Sequence, residues 1–419
     1  MTVKLAVPRG TSDVLPKDSY KWEFVEKVFR QVAKNFGYQE IITPIFEHTE
    51  VFERSVGDTT DIIQKEMYRF TDKKGRVFAL RPEGTAPVMR SLIENNLCAD
   101  GHITKLFYLG PMFRYDRPQS GRSRQFSQYG LECLGTSHPY YDAEVIAVYF
   151  TYLKTLGLKN YEVEINSIGC PDCAVTYNKA LKDYFVHFWN DLCEDCKTRF
   201  DKNPKRLLDC KIEKCKSYHS NAPSMLKYLD DKCKKHFDDV IKYLDLLNVT
   251  YNINPNIVRG LDYYTQTAFE FINYNLGSQN ALGGGGRYDG LVKQMGGKDV
   301  PGVGFAGGIS RLLLSLEQEQ LYQGENPSPK FYIVSLGDAL TQKAIELLNF
   351  LRNNNVYAEY DLEKTNIKSQ MKNADRLKAQ YSIILGENEV ANGVLTIKDM
   401  TSGEQTDLPL EKVNELINM

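Results

Sequence analysis

The stretch Arg259-Gly260-Leu261-Asp262-Tyr263-Tyr264-Thr265 places a cation, an acid and two adjacent phenols within seven residues. The alternating pattern that continues through Phe271 predicts a strand. A guanidinium is always charged, and its planar fork of donors suits carboxylate and phosphate groups. The arginine is therefore suited to bringing two anions together, although it could also mark an exposed strand end and pair with Asp262.

Further upstream, an apolar run, a basic loop and a second apolar run predict a β-hairpin. The two strands are expected at residues 105–115 and 125–135. Arg114 ends the first strand and Glu132 lies within the second, where an unpaired buried charge is costly. A solvated hairpin would explain the loop arginines but not these two charges. Under strict alternation, Phe126, Gln128, Leu131 and Glu132 cannot all share one face unless Gly130 marks a bulge.

Three further stretches have polar or glycine-rich patterns that a packed core does not require. They are Arg81-Pro82-Glu83-Gly84-Thr85, residues 283–290 and residues 302–311. The first lies between a short strand and a helix, so its carboxylate and hydroxyl could cap the helix or receive an ammonium group. The glycine run at 283–286 is not a nucleotide-triphosphatase phosphate loop, because no Gly-Lys-Ser/Thr follows it.

These motifs together resemble those of class II aminoacyl-tRNA synthetases. The strand at residues 38–47 resembles motif 1, the hairpin resembles motif 2, and residues 302–311 resemble motif 3. Residues 259–265 and 283–290 resemble the two signatures peculiar to the histidyl-tRNA synthetase family. The likeness covers nearly the whole chain. It implies an enzyme that activates histidine with ATP to histidyl-adenylate and pyrophosphate, then transfers histidine to the 3′ end of histidine tRNA and releases AMP.

The implied first step is attack by the carboxylate of histidine on the α-phosphorus of ATP. Both groups are anions, so charge neutralisation by arginines and Mg²⁺ is the central requirement. By the resemblance, the catalytic residues are Arg114, Arg259 and Arg311, and Arg259 does work that other class II enzymes give to a metal ion. The implied ATP-binding residues are Arg114, Arg122, Phe126 and Arg311. Ser310 stands where the family usually has a glutamate before Arg311, so we expect altered hydrogen bonding there.

The resemblance also implies a pocket for the histidine substrate. Its residues are Glu83, Gly84, Thr85, Arg114, Gln128, Glu132, Arg259, Tyr263, Tyr264 and Tyr288. Glu83 and Thr85 would hold the α-ammonium group, and Gln128 would lie near the carboxylate. Glu132 and the three tyrosines would surround the imidazole, whose neutral ring has one donor and one acceptor. Such a site can discriminate by about 10⁴-fold or more without editing.

The composition is that of an ordinary globular protein. Of the 419 residues, 42% are hydrophobic and 25% are charged, with a formal net charge of -2. This charge argues against bulk nucleic-acid binding, although local basic patches remain possible. The N-terminal residues have no apolar core of signal-peptide length, and no apolar run approaches the length of a membrane span. We therefore expect a cytoplasmic enzyme that does not bind a membrane.

The expected fold class is α/β, with an α+β catalytic domain. This domain would contain the class II antiparallel sheet with flanking helices, in two parts at residues 1–168 and 251–322. A helical, cysteine-containing insertion domain would occupy residues 169–250. A linker at residues 323–329 would precede a C-terminal domain at residues 330–419, where strands and helices alternate. The alternation predicts an α/β sheet, and the domain resembles the anticodon-binding domain of this synthetase group.

The same resemblance implies macromolecular partners. Residues 368–372 begin a helix that is commonly near RNA, although their lysines could simply form a solvated face. Gln119, in the hairpin loop, matches a position that senses the extra 5′ guanosine of histidine tRNA. Histidine tRNA would thus be bound through its acceptor stem and its anticodon. Residues 38–47 imply a homodimer, and Pro44 there indicates an edge, a bulge or a subunit boundary because it cannot donate to a central ladder.

The insertion carries cysteines at metal-ligand spacing. Two C-x-x-C pairs, Cys170 with Cys173 and Cys193 with Cys196, precede a looser pair and Cys233. In a chain without a secretion signal, such cysteines favour thiols or metal ligands over disulfides. The four cysteines of the C-x-x-C pairs would most simply hold a structural Zn²⁺. The alternative is that a helical insertion tolerates scattered thiols, since no step of adenylation requires zinc.

Two other functions are compatible with the same fold. The regulatory subunit of ATP phosphoribosyltransferase shares it, but such proteins typically lack the C-terminal RNA domain and have degraded catalytic signatures. This chain has Arg114, Arg259 and Arg311. A synthetase for another amino acid, such as proline or threonine, would leave residues 259–264 unexplained. Aminoacylation assays with histidine tRNA and each amino acid distinguish these functions.

Overall fold

The computed structural model describes residues 5–57, 60, 62–98, 101–119, 121–210, 212–321, 324–364 and 366–419. The chain forms two compact units, residues 1–324 and residues 325–419. Both units are mixed α and β, so the expected fold class is confirmed. Gln323, in the expected linker, lies outside the described residues. Among the described residues, no helix combines the length and apolar character that a membrane crossing needs.

The strands of the first unit form two sheets. In chain order they are β1 (Gln39–Glu40), β2 (Phe46–His48), β3 (Arg69–Thr71), β4 (Val77–Leu80), β5 (Thr104–Phe113), β6 (Gln125–Leu134), β7 (Glu162–Ser167), β8 (Asn252–Ile253), β9 (Thr265–Ile272), β10 (Ala281–Arg287) and β11 (Gly302–Gly308). The large sheet has the order β1-β5-β6-β11-β10-β9-β7-β8. It is antiparallel except at its edges, where β1 is parallel to β5 and β8 is parallel to β7. The small sheet, β2-β4-β3, is antiparallel.

The helices of the first unit flank the large sheet or build the insertion. They are α1 (Pro16–Asn35), α2 (Thr49–Val56), α3 (Thr85–Glu94), α4 (Tyr140–Thr155), α5 (Pro171–Phe185), α6 (Glu194–Lys202), α7 (Glu213–Lys216), α8 (Asp231–Leu246), α9 (Leu291–Gln294) and α10 (Ile309–Gln318). Helices α1, α4, α8 and α10 contribute buried residues to one core against the sheet. Helices α5 to α8 lie between β7 and β8, in the segment where the insertion domain, residues 169–250, is expected.

Aromatic side chains fill the core between the large sheet and its helices. Tyr149 of α4 stacks on Phe305 of β11 with ring centroids 4.7 Å apart, and its hydroxyl accepts from Tyr129 at 2.8 Å. Phe29 of α1 packs against Tyr129 at 5.0 Å. Burial of such rings is the largest favourable contribution that a core of this kind makes. The core therefore fixes β6 and β11, whose other face is free to carry a site.

The predicted hairpin is present as β5 and β6. Its register runs without a shift from Thr104 paired with Leu134 to Phe113 paired with Gln125. The bulge considered at Gly130 is therefore wrong, and Leu131 points into the core while Glu132 points to the opposite face. Gly130 makes room instead, because a Cβ there would lie 2.2 Å from the ring of Tyr108.

The strand expected at residues 38–47 is divided around Pro44. Its first part, β1, pairs with β5 at the edge of the large sheet, and its second part, β2, joins the small sheet. Proline has no N–H to give to a ladder, which explains why pairing stops around it. The expectation that this strand ends at a sheet edge is confirmed.

The second unit is an α/β sheet domain. Its elements are β12 (Phe331–Ser335), α11 (Thr341–Asn353), β13 (Ala358–Glu359), α12 (Ile367–Arg376), β14 (Tyr381–Leu385), α13 (Glu387–Ala391), β15 (Val394–Asp399), β16 (Gln405–Pro409) and α14 (Glu415–Asn418). The strand order is β13-β12-β14-β15-β16, with the first three parallel. The pattern of hydrophobic residues did not reveal β16, because its sequence is mostly polar and exposed.

Candidate active site

A cavity of about 430 Å³ opens on the face of the large sheet that carries Phe126 and Gln128. Ten residues expected in the site line it: Glu83, Thr85, Arg114, Arg122, Phe126, Gln128, Arg259, Tyr263, Tyr264 and Arg311. They come from the β5–β6 hairpin, the start of α3, the loop before β9 and the start of α10. The fold thus brings together the charged groups that the motifs carry at distant points of the chain.

Two of the arginines are fixed by main-chain carbonyls. Nε of Arg114 donates to the carbonyl oxygen of Pro82 at 2.8 Å. Nε and Nη1 of Arg311 donate to the carbonyl oxygens of Gly121 at 3.1 Å and Ala281 at 2.8 Å. Burial lowers the pKa of Arg311, and the neighbouring cations Arg122 and Arg114 lower it further. Cations held this close together are suited to a polyanionic ligand between them.

Arg259 lies in the loop before β9 and is held by an acid of that strand. Its Nη1 donates to Oε1 of Glu270 at 2.6 Å, and its guanidinium carbon lies 5.2 Å from the ring centroid of Tyr264. Burial lowers the pKa of Arg259, but the net shift is upward because Tyr264 and Glu270 favour its charged form. Arg259 is therefore a permanent positive charge on the cavity wall.

The carboxylate of Glu132 lies in a closed layer behind the cavity. It accepts from the hydroxyl of Tyr288 and, at 2.7 Å, from Oγ1 of Thr85. Burial raises the pKa of Glu132 to about 8. Gly304 fits against it, because a Cβ there would lie 1.9 Å from Oε2. Of the residues expected in the histidine pocket, Gly84, Glu132 and Tyr288 form this layer and do not line the cavity itself.

Glu83 occupies the cavity wall and also caps α3. Its Oε2 accepts from the N–H of Thr85 at 2.8 Å, and its Oε1 accepts from the N–H of Ala86 at 2.7 Å. Burial raises the pKa of Glu83, while these two N–H donors act against that shift. Glu83 therefore caps α3, as one of the two interpretations of the sequence expected. Its carboxylate also faces the cavity, at the positive end of the helix.

Tyr108 is a site residue that the sequence did not reveal. Its ring lies against Gly84 and Gly130, where a Cβ would approach it to 2.1 Å and 2.2 Å. Burial raises its pKa, and the charges of Glu132 and Glu83 add to that shift. Within the described part of the chain, its buried hydroxyl has no hydrogen-bond partner. A tyrosine in an apolar strand resembles a core residue, and the two glycines that face it are the signal that could have identified it.

The glycine-rich signature at residues 283–290 contributes a buried ion-pair network. Its arginine, Arg287, is fully buried and pairs with Asp142 and, at 2.9 Å, with Asp289. Nε2 of His236 lies 3.3 Å from Oδ1 of Asp142. Burial raises the pKa of Asp142, but Arg287 and His236 outweigh it and bring that pKa to about 2. This network fixes the strand end that carries Tyr288.

The floor of the cavity is main chain. Gly283 and Gly284 of β10 line it together with Gly307 and Gly308 of β11. A Cβ at Gly284 would lie 2.6 Å from the carbonyl oxygen of Phe269, and one at Gly307 would lie 2.4 Å from the ring of Tyr129. The glycine run therefore permits close packing of strands, which agrees with the absence of a phosphate-loop motif.

Residues of the insertion complete the cavity on another side. Arg199, Arg206 and Asp209 line it, although no motif pointed to them. They come from α6 and from the 3-10 turn at Pro204–Asp209. Between these elements, Nδ2 of Asn203 donates to Oδ1 of Asp262 at 2.9 Å. Gln119 lies elsewhere, exposed at the tip of the hairpin, where it forms a bridge with Arg122.

The four cysteines expected to hold one zinc ion do not form one group. Cys193 and Cys196 cluster with Cys210 and Cys215, while Cys170 and Cys173 cluster with Asp230 and Cys233. The expectation of a single site was wrong, because spacing along the chain does not show which cysteines helices α5 and α8 bring together in the fold. Each C-x-x-C pair has its own partners.

An antiparallel sheet that brings one arginine from a hairpin and another from a strand-to-helix junction into one cavity matches the class II aminoacyl-tRNA synthetase that the motifs resemble. A sequence model described as histidyl-tRNA synthetase matches residues 10–175 and 210–312, and one described as anticodon binding domain matches residues 330–418. The chain belongs to the histidyl-tRNA synthetase family. The family and the enzyme class expected from the motifs are thereby confirmed.

Individual relatives cover the whole chain. The histidine–tRNA ligase of Halothermothrix orenii is 50% identical over 408 residues, which are 97% of each chain. That of Clostridioides difficile is 48% identical over 410 residues, again 97% of each chain. The crystal structure of apo histidyl-tRNA synthetase from S. aureus has a TM-score of 0.84 at 38% identity and covers 99% of this chain and 100% of that one.

A more distant structure carries the double title of ATP phosphoribosyltransferase regulatory subunit and histidyl-tRNA synthetase. It comes from Bacillus halodurans C, with a TM-score of 0.66 and 21% identity, and covers 92% of this chain and 99% of that chain. At that identity the likeness shows the fold alone.

Proposed function

We propose that this chain activates histidine with ATP and transfers it to histidine tRNA. The observation that carries the proposal is the convergence of Arg114, Arg259 and Arg311 on one cavity beside the buried Glu132. Two mutually repelling acids can meet only where fixed positive charge offsets their repulsion. The family to which the chain belongs supports the same reaction.

In the first step the carboxylate of histidine attacks the α-phosphorus of ATP, and pyrophosphate leaves. Arg114 and Arg259 would neutralise the carboxylate and the α-phosphate. Arg122 and Arg311 would hold the outer phosphates, and Phe126 would stack on adenine. Mg²⁺ would enter bound to the phosphates, and its preference for oxygen ligands suits the carboxylates of the cavity wall, Glu66, Asp116 and Glu270.

Recognition of histidine would use the other end of the cavity. Glu83 and Thr85 would receive the α-ammonium group, since both offer oxygen acceptors there. Gln128 would lie near the substrate carboxylate, to which its side-chain NH₂ group could donate. Tyr263 and Tyr264 would form the side of the imidazole pocket, with the Glu132 and Tyr288 pair behind them. A substrate that cannot hydrogen-bond would leave these buried groups unpaired, which is the basis of the proposed selectivity.

The tRNA would contact each unit separately. In the second unit, the lysines at 368 and 372 are exposed on α12, where they can meet a phosphate backbone. In the first unit, Gln119 is exposed at the hairpin tip, as a residue that reads the tRNA 5′ end should be. We propose residues 169–250 as an insertion domain near the acceptor stem and residues 330–419 as the anticodon-binding domain.

We further propose a homodimer through the region of residues 38–47. Ile42 is 86% exposed, and Phe46 is 47% exposed. The ring of Phe46 packs against those of Phe70 and Phe78 at 5.8 Å, which extends the apolar surface over the small sheet. Contiguous apolar surface of this kind is typical of a protein interface. We expect Ile42→Asp to shift the mass measured by light scattering from dimer to monomer, whereas Ile253→Asp, at the opposite edge of the sheet, should leave it unchanged.

The deciding experiment is ATP–pyrophosphate exchange with each amino acid in turn, followed by aminoacylation of histidine tRNA. Exchange that depends on histidine alone would support the proposal. Exchange with another amino acid would reject the assigned pocket, and the absence of any exchange would favour a regulatory protein of the same fold. The substrates lead us to propose the cytoplasm as the place of action.

A further inference from the structure

The insertion contains eight side chains that group into two sets of four. One set is Cys193, Cys196, Cys210 and Cys215, and the other is Cys170, Cys173, Asp230 and Cys233. Within each set the ligand atoms lie within 4.8 Å of one another. Seven of the nine cysteines of the chain are used in this way. We propose that each set binds a structural zinc ion, so that the insertion holds two ions rather than one.

The first set has the composition and enclosure of a structural zinc site. Cys196, Cys210 and Cys215 are buried, and Cys193 is partly buried. Sγ of Cys193 lies 3.9 Å from Sγ of Cys210. In a tetrahedron of thiolates with Zn–S distances of about 2.3 Å, two sulfurs are about 3.8 Å apart. The N–H of Cys193 donates to Sγ of Cys215 at 3.3 Å, which is the kind of contact that orients a thiolate ligand.

The second set joins the start of α5 to the start of α8. Sγ of Cys170 lies 3.5 Å from Sγ of Cys173, and the N–H of Asp230 donates to Sγ of Cys173 at 3.2 Å. Asp230 uses its two oxygens differently. Oδ1 accepts from the N–H of Cys233 at 2.7 Å as a helix cap, while Oδ2 lies 3.4 Å from Sγ of Cys170. The second oxygen thus faces the thiols and is available as the fourth ligand.

Zinc fits these sets better than the alternatives. Disulfide bonds would require sulfur separations of about 2.05 Å. They would also join the cysteines in pairs, so one of the seven cysteines would have no partner. Tetrahedral sulfur-rich sites select zinc or iron–sulfur clusters. A carboxylate ligand beside three thiolates is normal for zinc, whereas iron–sulfur clusters are usually held by cysteines alone. Four ligands without an open position indicate a structural rather than a catalytic ion.

The first ion would also position part of the active-site cavity. Cys196 lies in α6, and Cys210 directly follows the turn at Pro204–Asp209. Between these two ligands lie Arg199, Arg206 and Asp209, which line the cavity. A metal that fixes both ends of this segment reduces the conformational freedom of everything between them. The first ion would therefore hold the insertion side of the cavity in place, whereas the second would fix only the junction of α5 and α8.

The test is metal content of the full chain purified without chelator, with zinc and iron measured together. We expect about two zinc ions per chain in the wild type and about one in Cys210→Ser and in Cys233→Ser. The double variant should contain none, and Cys98→Ser, outside both sets, should keep about two. Hydrogen exchange should then increase in residues 194–209 for Cys210→Ser but not for Cys233→Ser.

If a variant fails to fold, the wild type still tests the proposal, because it can be reconstituted with Co²⁺. Two tetrahedral thiolate sites predict intense sulfur-to-cobalt absorption that saturates at about two equivalents. A wild type with no zinc and nine reactive thiols would overturn the proposal, as would iron in place of zinc. One ion per chain would overturn the two-site form. These measurements do not involve adenylation, so they stand or fall independently of the proposed function.

Discussion

Nη1 of Arg259 lies 2.6 Å from Oε1 of Glu270, and this pair joins the loop before β9 to the strand itself. The glutamate accepts from one terminal nitrogen of the guanidinium, Nη1. Nε of Arg259 is also buried and has no partner among the described residues. A buried donor without a partner is rare unless a ligand or water completes it. Glu270 thus fixes Arg259 through Nη1, while the Nε–H donor has no partner in the part of the chain that the structure describes.

Arg259→Ala should abolish histidine-dependent pyrophosphate exchange while largely sparing the fold. Loss of one fixed donor from a site of developing charge typically costs about 10²- to 10³-fold in rate, and here a full charge is removed. Arg259→Lys is the matched control, because it keeps the charge but loses the planar fork, and we expect intermediate activity. Full exchange activity in the alanine variant, with a normal melting temperature, would contradict the assigned role.

Glu132→Gln should raise the Michaelis constant for histidine and leave that for ATP little changed. The carboxylate is enclosed by Tyr288 and Thr85 and does not line the cavity that the arginines share, so we expect the change to affect the imidazole end. Steady-state exchange kinetics at varied histidine and varied ATP measure the two constants. A normal constant for histidine would show that Glu132 does not serve the imidazole pocket.

The raised pKa of Glu132 predicts a pH dependence of the ligand-free protein. Its ordinary pKa is 4.5, and burial raises it to about 8 in the fold. Between these values the native state binds more protons at this group than the unfolded state does, so its contribution to the free energy of unfolding falls as pH rises. We expect the melting temperature of the wild type, relative to Glu132→Gln, to fall from pH 5 to pH 8. A difference that is constant or rises over this range would refute the assignment.

Gly304→Ala should destabilise the fold and disturb the pocket. The added Cβ would meet Oε2 of Glu132 at 1.9 Å and the carbonyl oxygen of Leu131 at 2.4 Å. Overpacking of this kind costs about 1–3 kcal/mol. Gly308→Ala, in the same strand, is the control, because nothing lies within 4 Å of its Cβ. Chemical denaturation should show a loss for the first variant and little change for the second; equal losses would argue against the tight contact.

Tyr108→Phe should leave the ligand-free stability unchanged or raise it by about 1 kcal/mol, because it removes a buried hydroxyl that has no hydrogen-bond partner among the described residues. It should also raise the Michaelis constant for histidine, since the hydroxyl would gain its partner only when the site is filled. Tyr129→Phe, on the adjacent strand, removes a hydroxyl that donates at 2.8 Å and should lower stability instead. A destabilised Tyr108→Phe variant with a normal histidine constant would mean that this hydroxyl is structural.

The sequence predicted those parts of the site whose residues follow one another in the chain. The hairpin and the segments around Glu83, Arg259 and Arg311 could be identified because each is a contiguous pattern. Pairs that form only after folding could not, and Arg287 with Asp142 is an example, because 145 residues separate them. The grouping of cysteines failed for the same reason. The local pattern at Gly130 raised only the possibility of a bulge, whereas the role of this glycine depends on the ring of Tyr108 across the hairpin.

The glycine floor of the cavity has a consequence for chemical inhibition. Because Gly283, Gly284, Gly307 and Gly308 present only backbone, this surface has no rotamers with which to adapt to a bound compound. At Gly284 and Gly307, the neighbouring carbonyl oxygen and aromatic ring leave no space for a side chain, so resistance could hardly arise there by a point mutation. A drug that draws its affinity from the backbone at Gly284 and Gly307 would therefore meet a surface that neither rearranges nor mutates easily, and escape would have to come from Gly308, where a side chain has space, or from the surrounding walls.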